Sequence, residues 1–302
     1  MNIYLTGSRL YKLRKERKIS QKDLCDGLCA ISSLSRIETG TQVPSRKLIA
    51  ALYQRCGYKA PVDDIPITES ELIRDNIEAQ LCVNSNNKQI DSLLDEYKNC
   101  SPQMNVFEEQ KYILHSAINN SRKYGYTLEI KETFLKAFLF THPNFKLADL
   151  EKDDLKLFLT KTEIVILNSI GNADIGLSKT KEAILIFSFL KNYFEKNIFD
   201  ENEKTDNYPI ILLNLSGLYD DIGEYEKSIE LTETCIKLCA KYGKENLPAV
   251  ITNYGFFIAR QGNIEKGIKI IKDGLLFFEY LENNNFVSVG KETVKKYFSI
   301  DI

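Results

Sequence analysis

Residues 20–45, "SQKDLCDGLCAISSLSRIETGTQVPS", decide the fold of the N-terminal part of the chain. Apolar residues recur in this stretch at helical spacing, first at Leu24 and Leu28 and then at Leu34 and Ile37. About three residues separate the two blocks, which lets two short helices share a buried seam at the sharp crossing of a helix-turn-helix unit. The stretch therefore predicts a compact unit whose second helix presents its first turn to solvent.

The flanking residues extend this unit to four short helices. Apolar side chains at helical spacing place the helices near residues 6–17, 20–28, 31–39 and 45–56. Ser20 and Ser45 stand where N-cap residues belong, and Gly40 follows the third block as a C′ glycine does. We therefore predict a four-helix N-terminal domain.

The charge of this region has the sign that attracts nucleic acid. Residues 1–59 hold 12 Lys and Arg against 4 Asp and Glu, a net +8, whereas the whole 302-residue chain carries −2. The remaining residues therefore carry −10. A basic head draws phosphates toward it, and an acidic body discourages nucleic acid from binding elsewhere.

The first turn of the third helix carries the candidate base-reading residues. The small polar Ser32 and Ser33 and the cationic Arg36 lie on the face opposite Leu34 and Ile37, so they could enter a major groove. Two plainer interpretations stay open: the serines cap the helix, and Arg36 is a solvated charge or a phosphate contact. Four further cations are predicted to make no more than positioning contacts with the DNA backbone: Lys12, Lys22, Arg46 and Lys47.

The pattern resembles the XRE-type helix-turn-helix family, written Q-x-x-L-x(n)-S-x-[IVL]-S-x-[IL]-E-x-G. Its positions are met by Gln21, Leu24, Ser32, Leu34, Ser35, Ile37, Glu38 and Gly40, with Pro44 and Ser45 at the usual start of the fourth helix. One departure is the turn after Leu28, which is a residue shorter and has Cys29-Ala30 in place of the customary glycine, as in PlcR-like regulators.

The same resemblance implies roles for individual residues. Gln21 would bond a phosphate, and Ser32 and Arg36 match positions that read base edges, with Ser33 as their neighbour. Arg14 and Glu38 match a buried ion pair between the first and third helices, which is a structural role.

A change of composition marks the end of this domain. Residues 58–68, "YKAPVDDIPIT", place two prolines around two aspartates and have no helical period. Thr68 and Glu71 then form a T-x-x-E capping box, so a new helix starts there. We predict two domains, a helix-turn-helix DNA-binding domain with its linker over residues 1–66 and a helical repeat domain over residues 67–302.

The second domain remains helical and contains a repeat. Helical blocks are predicted near residues 69–83, 87–99, 104–123 and 128–141. Beyond them, "NLSGLYDDIGEYEKSIEL" from Asn214 and "NYGFFIARQGNIEKGIKI" from Asn253 align without gaps at a period of 39 residues. Small residues at the helix crossing and a glycine in the tight turn, Gly223 and Gly262, are typical of a helix-turn-helix solenoid. The segments resemble lengthened tetratricopeptide repeats, and residues 167–186 form a degenerate third copy.

Three asparagines recur in these copies, Asn168, Asn214 and Asn253. Each lies in the first helix of its repeat, the helix that lines the concave face. A carboxamide donates to and accepts from a main-chain amide at once, which suits an extended peptide. The alternative is that these residues are ordinary exposed asparagines. The predicted peptide-binding set consists of Asn168, Asn214, Asn253, Leu218, Phe257 and Arg260, with the reservation that Phe256 and Phe257 cannot both face the groove.

Along its whole length the chain resembles the Rap–Rgg–NprR–PlcR–PrgX superfamily. That resemblance implies an all-α fold, an N-terminal XRE-type helix-turn-helix domain followed by a tetratricopeptide-like right-handed helical solenoid. It further implies a cytoplasmic, homodimeric, sequence-specific transcription regulator that binds double-stranded DNA at an inverted repeat and a short signalling peptide in the groove. The alternative is a repeat protein that binds or sequesters another protein, with a minor role in DNA binding.

Other classes of function have little support in the sequence. There is no glycine-rich phosphate loop, and the two histidines, His115 and His142, have no metal-ligand spacing, so we expect neither an enzyme nor a cofactor. Seven cysteines without a C-x-x-C pair favour reduced thiols, although two i,i+4 pairs invite a comparison with zinc sites. No run of about 18 apolar residues predicts a membrane span, and the N-terminus has no signal-peptide core.

Overall fold

The computed structural model describes residues 3–60, 68–82, 87–152, 155–197, 201–243 and 246–302. Within these ranges the regular structure is helical, with fifteen α-helices and one short 3-10 helix and no strand. The packing divides the chain into two compact units, Met1–Glu203 and Lys204–Ile302. The predicted all-α fold is confirmed.

The first four helices are those predicted at the N-terminus, α1 (Ile3–Glu16), α2 (Gln21–Cys25), α3 (Ile31–Glu38) and α4 (Arg46–Arg55). The Ser20 hydroxyl accepts the amide of Asp23 at 3.0 Å, and the Ser45 hydroxyl accepts the amide of Leu48 at 3.2 Å, so both predicted N-caps are present. Gly40 has a φ of 74° directly after the C-cap of α3, as a C′ glycine should.

α2 is three residues shorter than predicted. The sequence pattern extends the helix to residue 28, but the helix ends at Cys25 and Gly27 adopts a φ of 67°. Leu28 N–H then bonds the carbonyl of Cys25 in a tight turn. Leu28 still packs against the domain core, which is why apolar spacing alone extends the helix too far.

The core of this four-helix domain is the apolar seam expected from the pattern. Leu24, Leu34 and Ile37 are buried, and they share one cluster with residues of α1 and α4 such as Leu10 and Leu52. At about 25 cal/mol per Å² of apolar surface removed from water, such a seam holds the short helices, which would not be stable alone.

Six further helices complete the first unit, α5 (Glu69–Cys82), α6 (Asn87–Cys100), α7 (Val106–Tyr124), α8 (Leu128–Leu139), α9 (Lys161–Gly176) and α10 (Thr180–Lys196), with the 3-10 helix at Leu147–Glu151. Successive helices pack on each other along the chain. The predicted capping box starts α5, because Thr68 N–H donates to Glu71 Oε2 at 3.1 Å and Glu71 N–H donates to Thr68 Oγ1 at 3.3 Å. The predicted linker falls largely on residues 61–67, outside the described residues, so the boundary there stays a prediction.

The second unit contains the recognisable repeats. Its helices are α11 (Glu201–Asp221, which begins three residues before the unit does), α12 (Tyr225–Tyr242), α13 (Leu247–Arg260), α14 (Ile264–Tyr280) and α15 (Asn284–Phe298). Gly223 and Gly262 adopt φ values of 83° and 109° in the turns that follow α11 and α13. The residue after each glycine donates its N–H five positions back, from Glu224 to Tyr219 and from Asn263 to Ile258, as in a Schellman motif.

The small residues lie where helices cross. A Cβ on Gly255 of α13 would lie 2.8 Å from the carbonyl oxygen of Gly267 in α14, and a Cβ on Gly267 would lie 2.5 Å from Cβ of Ala259. Both glycines are needed for this close approach, which confirms the predicted helix crossing.

The four cysteines of the i,i+4 pairs have different surroundings. Cys235 and Cys239 are fully buried, and their thiols donate to the carbonyl of Pro209 at 3.2 Å and to Asn246 Oδ1 at 3.3 Å. Hydrogen bonding to Cys239 and burial both raise the pKa of Cys235. In the first unit burial raises the pKa of Cys29 to about 11. Cys235 and Cys239 are core groups, whereas Cys29 is half-buried, and the part of the chain that the structure describes holds no cluster of three or more potential metal ligands.

No helix among the described residues combines the length and the apolar character needed to cross a lipid bilayer.

Candidate nucleic-acid interface and candidate peptide-binding residues

The helix-turn-helix presents the predicted base-reading residues at its surface. Ser32 and Arg36 of α3 are exposed, and Ser33 is half-buried. The N-cap of α3 is Ala30, which makes no side-chain cap, so the serines stand inside the helix and do not serve as its N-cap. The alternative that they cap the helix is therefore not what the structure shows, and their hydroxyl groups belong to the first turn of α3.

A buried ion pair fixes this helix on α1. Arg14 Nε lies 2.6 Å from Glu38 Oε1, and Arg14 Nη2 lies 2.8 Å from Glu38 Oε2, a bidentate pair with side chains 5% and 3% exposed. The hydrogen bond to Glu38 raises the pKa of Arg14 above its already high value. Arg14 Nη1 also donates to the carbonyl of Ile19 at 3.0 Å, before α2. The ion pair implied by the family resemblance is thus present.

Gln21 is tied into the same network. The side-chain amide nitrogen of Gln21, Nε2, donates to Glu38 Oε2 at 2.8 Å, and Gln21 is half-buried at the first position of α2. One hydrogen of the side-chain amide is therefore used inside the domain. The Glu38 carboxylate thus orients the Gln21 side chain at the start of α2.

The flanking cations differ in their surroundings. Lys22 is exposed on α2, whereas Arg46 is half-buried at the first position of α4. Lys47 pairs with Glu108 of α7 and is therefore committed to the fold. Arg14 and Arg55 are 4% and 2% exposed, so the charge count of the basic head overstates its surface charge.

The asparagines of the repeats fall into two registers. Gly223 follows Asn214 by nine positions and Gly262 follows Asn253 by nine, whereas Ser178, the residue in the equivalent left-handed turn, follows Asn168 by ten. One position is about 100° around a helix. Asn168 therefore stands out of register with the other two, and Ser169 takes the matching position. The left-handed turn sets the alignment of the three copies, and in this copy Ser178, with a φ of 58°, occupies the position of the glycine. Because the glycine is absent, the sequence alone does not show the shift.

Two of the predicted peptide-binding residues lie in the interior. Leu218 of α11 is 4% exposed and Phe257 of α13 is 7% exposed, so each packs inside the second unit. Phe256 is the half-buried member of its pair and stacks on Phe298 with ring centroids 6.4 Å apart. The expected conflict between adjacent phenylalanines is resolved with Phe257 inside. Asn214 and Asn253 are half-buried in the same unit.

Arg260 is engaged with carboxylates of α11. Its Nη1 forms an ion pair with Asp220 Oδ2 and lies 3.4 Å from Asp221 Oδ1, and its guanidinium lies 5.7 Å from the ring centroid of Tyr297. Burial raises the pKa of Asp220 to about 6, against the opposing effect of Arg260. Side-chain exposure is 29% for Arg260 and 2% for Asp220, so the guanidinium is partly accessible and its carboxylate partner is enclosed.

Comparisons with known proteins agree with this arrangement. Residues 10–60 match the family described as Helix-turn-helix, HTH_3. Among solved structures, PlcR from Bacillus thuringiensis in complex with the peptide PapR7 and DNA is similar, with 16% identity, a TM-score of 0.57, and coverage of 95% of this chain and 99% of PlcR. The SHP pheromone receptor Rgg2 from Streptococcus dysgalactiae is similar at 17% identity and a TM-score of 0.51, covering 96% and 99%. No curated protein matches the chain.

These findings establish the architecture. The N-terminus is a helix-turn-helix domain of the matched family, and the chain shares the overall fold of PlcR and Rgg2 over nearly its full length. The predicted combination of an XRE-type helix-turn-helix with a tetratricopeptide-like helical body is confirmed.

Proposed function

We propose that this protein is a sequence-specific DNA-binding transcription regulator controlled by a short signalling peptide. The observation that carries the proposal is the presentation of α3: Arg36 and Ser32 are exposed on a helix held rigidly by the buried Arg14–Glu38 pair, within the domain that matches the helix-turn-helix family. We propose no catalytic role and no cofactor. The similar PlcR structure holds both a peptide and DNA.

The DNA-binding part follows from charge and from the chemistry of the exposed side chains. Arg36 offers a planar fork of donors suited to guanine O6 and N7 in the major groove, and Ser32 can contact either kind of base pair. Gln21 and Lys22 of α2, with Arg46 at the start of α4, would contact phosphates and set the register. Ser33, half-buried beside Ser32, would support these contacts.

The first experiment is selection of fragmented genomic DNA by the purified full-length protein at moderate salt, followed by sequencing of the retained fragments. We expect an enriched inverted repeat. Arg36→Ala should then cost about 1–3 kcal/mol and relax specificity at one base pair, whereas Lys22→Ala should weaken binding to all sequences and reduce the salt dependence. Lys237→Ala, an exposed cation of α12, is the control and should bind as the unchanged protein.

No enriched sequence, or selection unchanged by Arg36→Ala, would contradict the base-reading role. Strong capture of a protein together with absent DNA selection would favour the interaction protein instead.

The peptide-binding part is proposed for the first helices of the repeats. Asn214 and Asn253 hold matching positions in α11 and α13, and Arg260 adds a cation on α13. Such groups suit the main chain and a carboxylate of an extended peptide. The buried Leu218 and Phe257 would act by shaping the repeats, and the half-buried Asn168 lies one position out of register with the other two asparagines.

A peptide-sized fraction of spent culture medium tests this part. Recovery of the enriched DNA should change when the fraction is added, and Asn253→Ala should abolish the response while leaving binding in its absence intact. Asn283→Ala, which removes a capping asparagine of α15, controls for a general loss of repeat stability. A response that survives Asn253→Ala would remove Asn253 from the site.

We also propose that the protein acts as a homodimer in the cytoplasm. An inverted repeat requires two copies of α3, and α14 exposes apolar side chains that suit a contact between copies: Leu276 at 48%, Phe277 at 53% and Tyr280 at 80%. Light scattering should give twice the 34.7 kDa chain mass, and Phe277→Glu should shift it toward one chain. A dimer indifferent to Phe277→Glu would place the contact elsewhere.

A further inference from the structure

A fully buried ion pair joins the helix-turn-helix to the helical body within the first unit. Arg55, the last residue of α4, places Nη2 3.2 Å from Oε1 of Glu163 in α9, and both side chains are 0% exposed. Burying two charges away from water is costly, and a substitution that eliminates one partner of such a pair leaves the other charge buried and uncompensated. A contact of this kind is therefore sensitive to any shift between its two elements.

The same guanidinium holds the turn that precedes the recognition helix. Arg55 Nη1 donates to the carbonyl of Leu24 at 3.2 Å and to the carbonyl of Asp26 at 2.5 Å. These carbonyls belong to the end of α2 and its C-cap, in the short connection to α3. One planar side chain thus contacts the body with one nitrogen and the turn with another, which a lysine could not reproduce.

The carboxylate on the other side is itself fixed. Glu163 Oε2 accepts the amide of Thr160 at 2.6 Å in the capping box of α9. His142, just beyond α8, places Nε2 3.3 Å from Glu163 Oε1 and 3.2 Å from Arg55 Nη2. Burial acts to raise the pKa of Glu163, but Arg55 and His142 outweigh it and hold that pKa well below its usual range, so the carboxylate stays ionised.

The turn also contacts the body directly. Gly27 packs so closely against the carbonyl group of Thr141 that a Cβ at Gly27 would overlap it. Nearby, the amide of Lys161 at the start of α9 donates to Gln54 Oε1 at 3.2 Å. The connection between α2 and α3 is therefore set against α8 and α9 by ionic, hydrogen-bonded and steric contacts together.

We infer that Arg55, Glu163 and His142 form a latch that positions the recognition helix α3 relative to α8 and α9. The three are positioning residues, since none of them is exposed for contact with DNA. The inference rests on the proposed function, because a set position of α3 affects DNA reading only if α3 reads DNA. It extends that function by naming the contact through which a displacement of the body reaches the DNA-reading surface.

The test uses the full chain and two variants. Arg55→Met/Glu163→Leu replaces both charges with apolar groups of similar size, which preserves stability far better than a single change. Arg55→Lys keeps a positive charge beside Glu163 but lacks the fork that reaches the turn carbonyls. The matched control is Lys47→Met/Glu108→Leu, which removes an ion pair between α4 and α7.

Two measurements separate the latch from the proposed function. Hydrogen exchange without DNA should accelerate about tenfold at the amides of residues 27–31 in the latch variants and stay unchanged in the control. The ratio of operator to random-sequence affinity should fall about tenfold in the latch variants, with binding to random DNA unaltered.

Unchanged exchange at residues 27–31 in Arg55→Lys, which keeps a charge beside Glu163, would overturn the latch even if the double variant fails to fold. Faster exchange with unchanged operator selectivity would also overturn it, because the turn would then loosen without moving α3. A protein that selects no DNA at all would refute the proposed function, while the exchange measurement would still report on the turn.

Discussion

Gly27→Ala tests how tightly the turn before the recognition helix is held. Gly27 has a φ of 67°, and a Cβ at this position would overlap the main-chain carbonyl of Thr141, which cannot rotate away as a flexible side chain could. The turn must therefore move away from Thr141, just beyond the end of α8. We expect a destabilised protein that also reads DNA less specifically.

The size of the effect follows from two contributions. A left-handed conformation costs a non-glycine residue about 1–2 kcal/mol. Moving the turn outward also strains the bond from Arg55 Nη1 to the Asp26 carbonyl, and losing a buried hydrogen bond costs about 1–3 kcal/mol. The sum, about 2–5 kcal/mol, is a large fraction of the roughly 5–15 kcal/mol that stabilises a typical domain.

Urea unfolding of the full chain, followed by circular dichroism, measures this difference against a matched glycine. Gly243, the C-cap of α12, has a left-handed backbone with a φ of 61° and a ψ of 39°, but a Cβ added there would have no heavy atom within 4 Å, so Gly243→Ala carries the left-handed cost without the overlap. Gly27→Ala should be the more destabilising of the two by at least about 1 kcal/mol. Equal destabilisation would contradict this expectation, because the contact with Thr141 would then contribute nothing.

Three further substitutions test other contacts. Arg14→Met should cost about 3–5 kcal/mol in urea unfolding, because it leaves Glu38 buried without its partner. Arg14→Met/Glu38→Leu should recover most of that loss. If the double variant were less stable than the single one, the buried ion pair would not account for the effect. Burial raises the pKa of Asp220 to about 6 from its usual 3.8, so the contribution of this carboxyl to the free energy of unfolding is fully present below pH 4 and is lost as pH rises through 6. Between pH 4 and pH 7 the wild type should therefore lose up to about 3 kcal/mol of stability relative to Asp220→Asn. A stability difference that does not change with pH would contradict this expectation. Gly267→Ala should cost about 1–3 kcal/mol, because the added Cβ forces α14 away from Gly255 in α13. The variant should therefore have a lower melting temperature. An unchanged melting temperature would show that the two helices can move apart without loss of stability.

Features set by near neighbours along the chain follow from the order of residues. Helix positions agree with apolar spacing, and Ser20, Ser45 and Thr68 cap the helices that their positions predict. These features depend on hydrogen bonds and side-chain spacing within about one helical turn, which the order of residues determines directly. The Arg14–Glu38 pair spans a longer distance, and it is predictable because a family pattern specifies both positions.

Other positions are decided by packing that no local pattern reports. Leu218 and Phe257 have the helical spacing of a groove-lining face, yet they are buried, because which apolar face becomes interior depends on the neighbouring helices. Asn168 matches Asn214 and Asn253 by residue type in the sequence, and only the left-handed turn at Ser178 reveals that it is shifted by one position. The domain charge likewise includes Arg55, which is buried.

The order of residues predicts an all-helical chain with an N-terminal helix-turn-helix, a repeat period and a surface cation at Arg36. Only the tertiary structure brought Arg55 and Glu163 together, since 108 residues separate them and neither belongs to a shared motif. Glu163 completes the capping box of α9 with Thr160, a local role that does not indicate Arg55 as its second partner. Local order depends on near neighbours, whereas a buried charge finds its partner only when distant helices pack and exclude water from both.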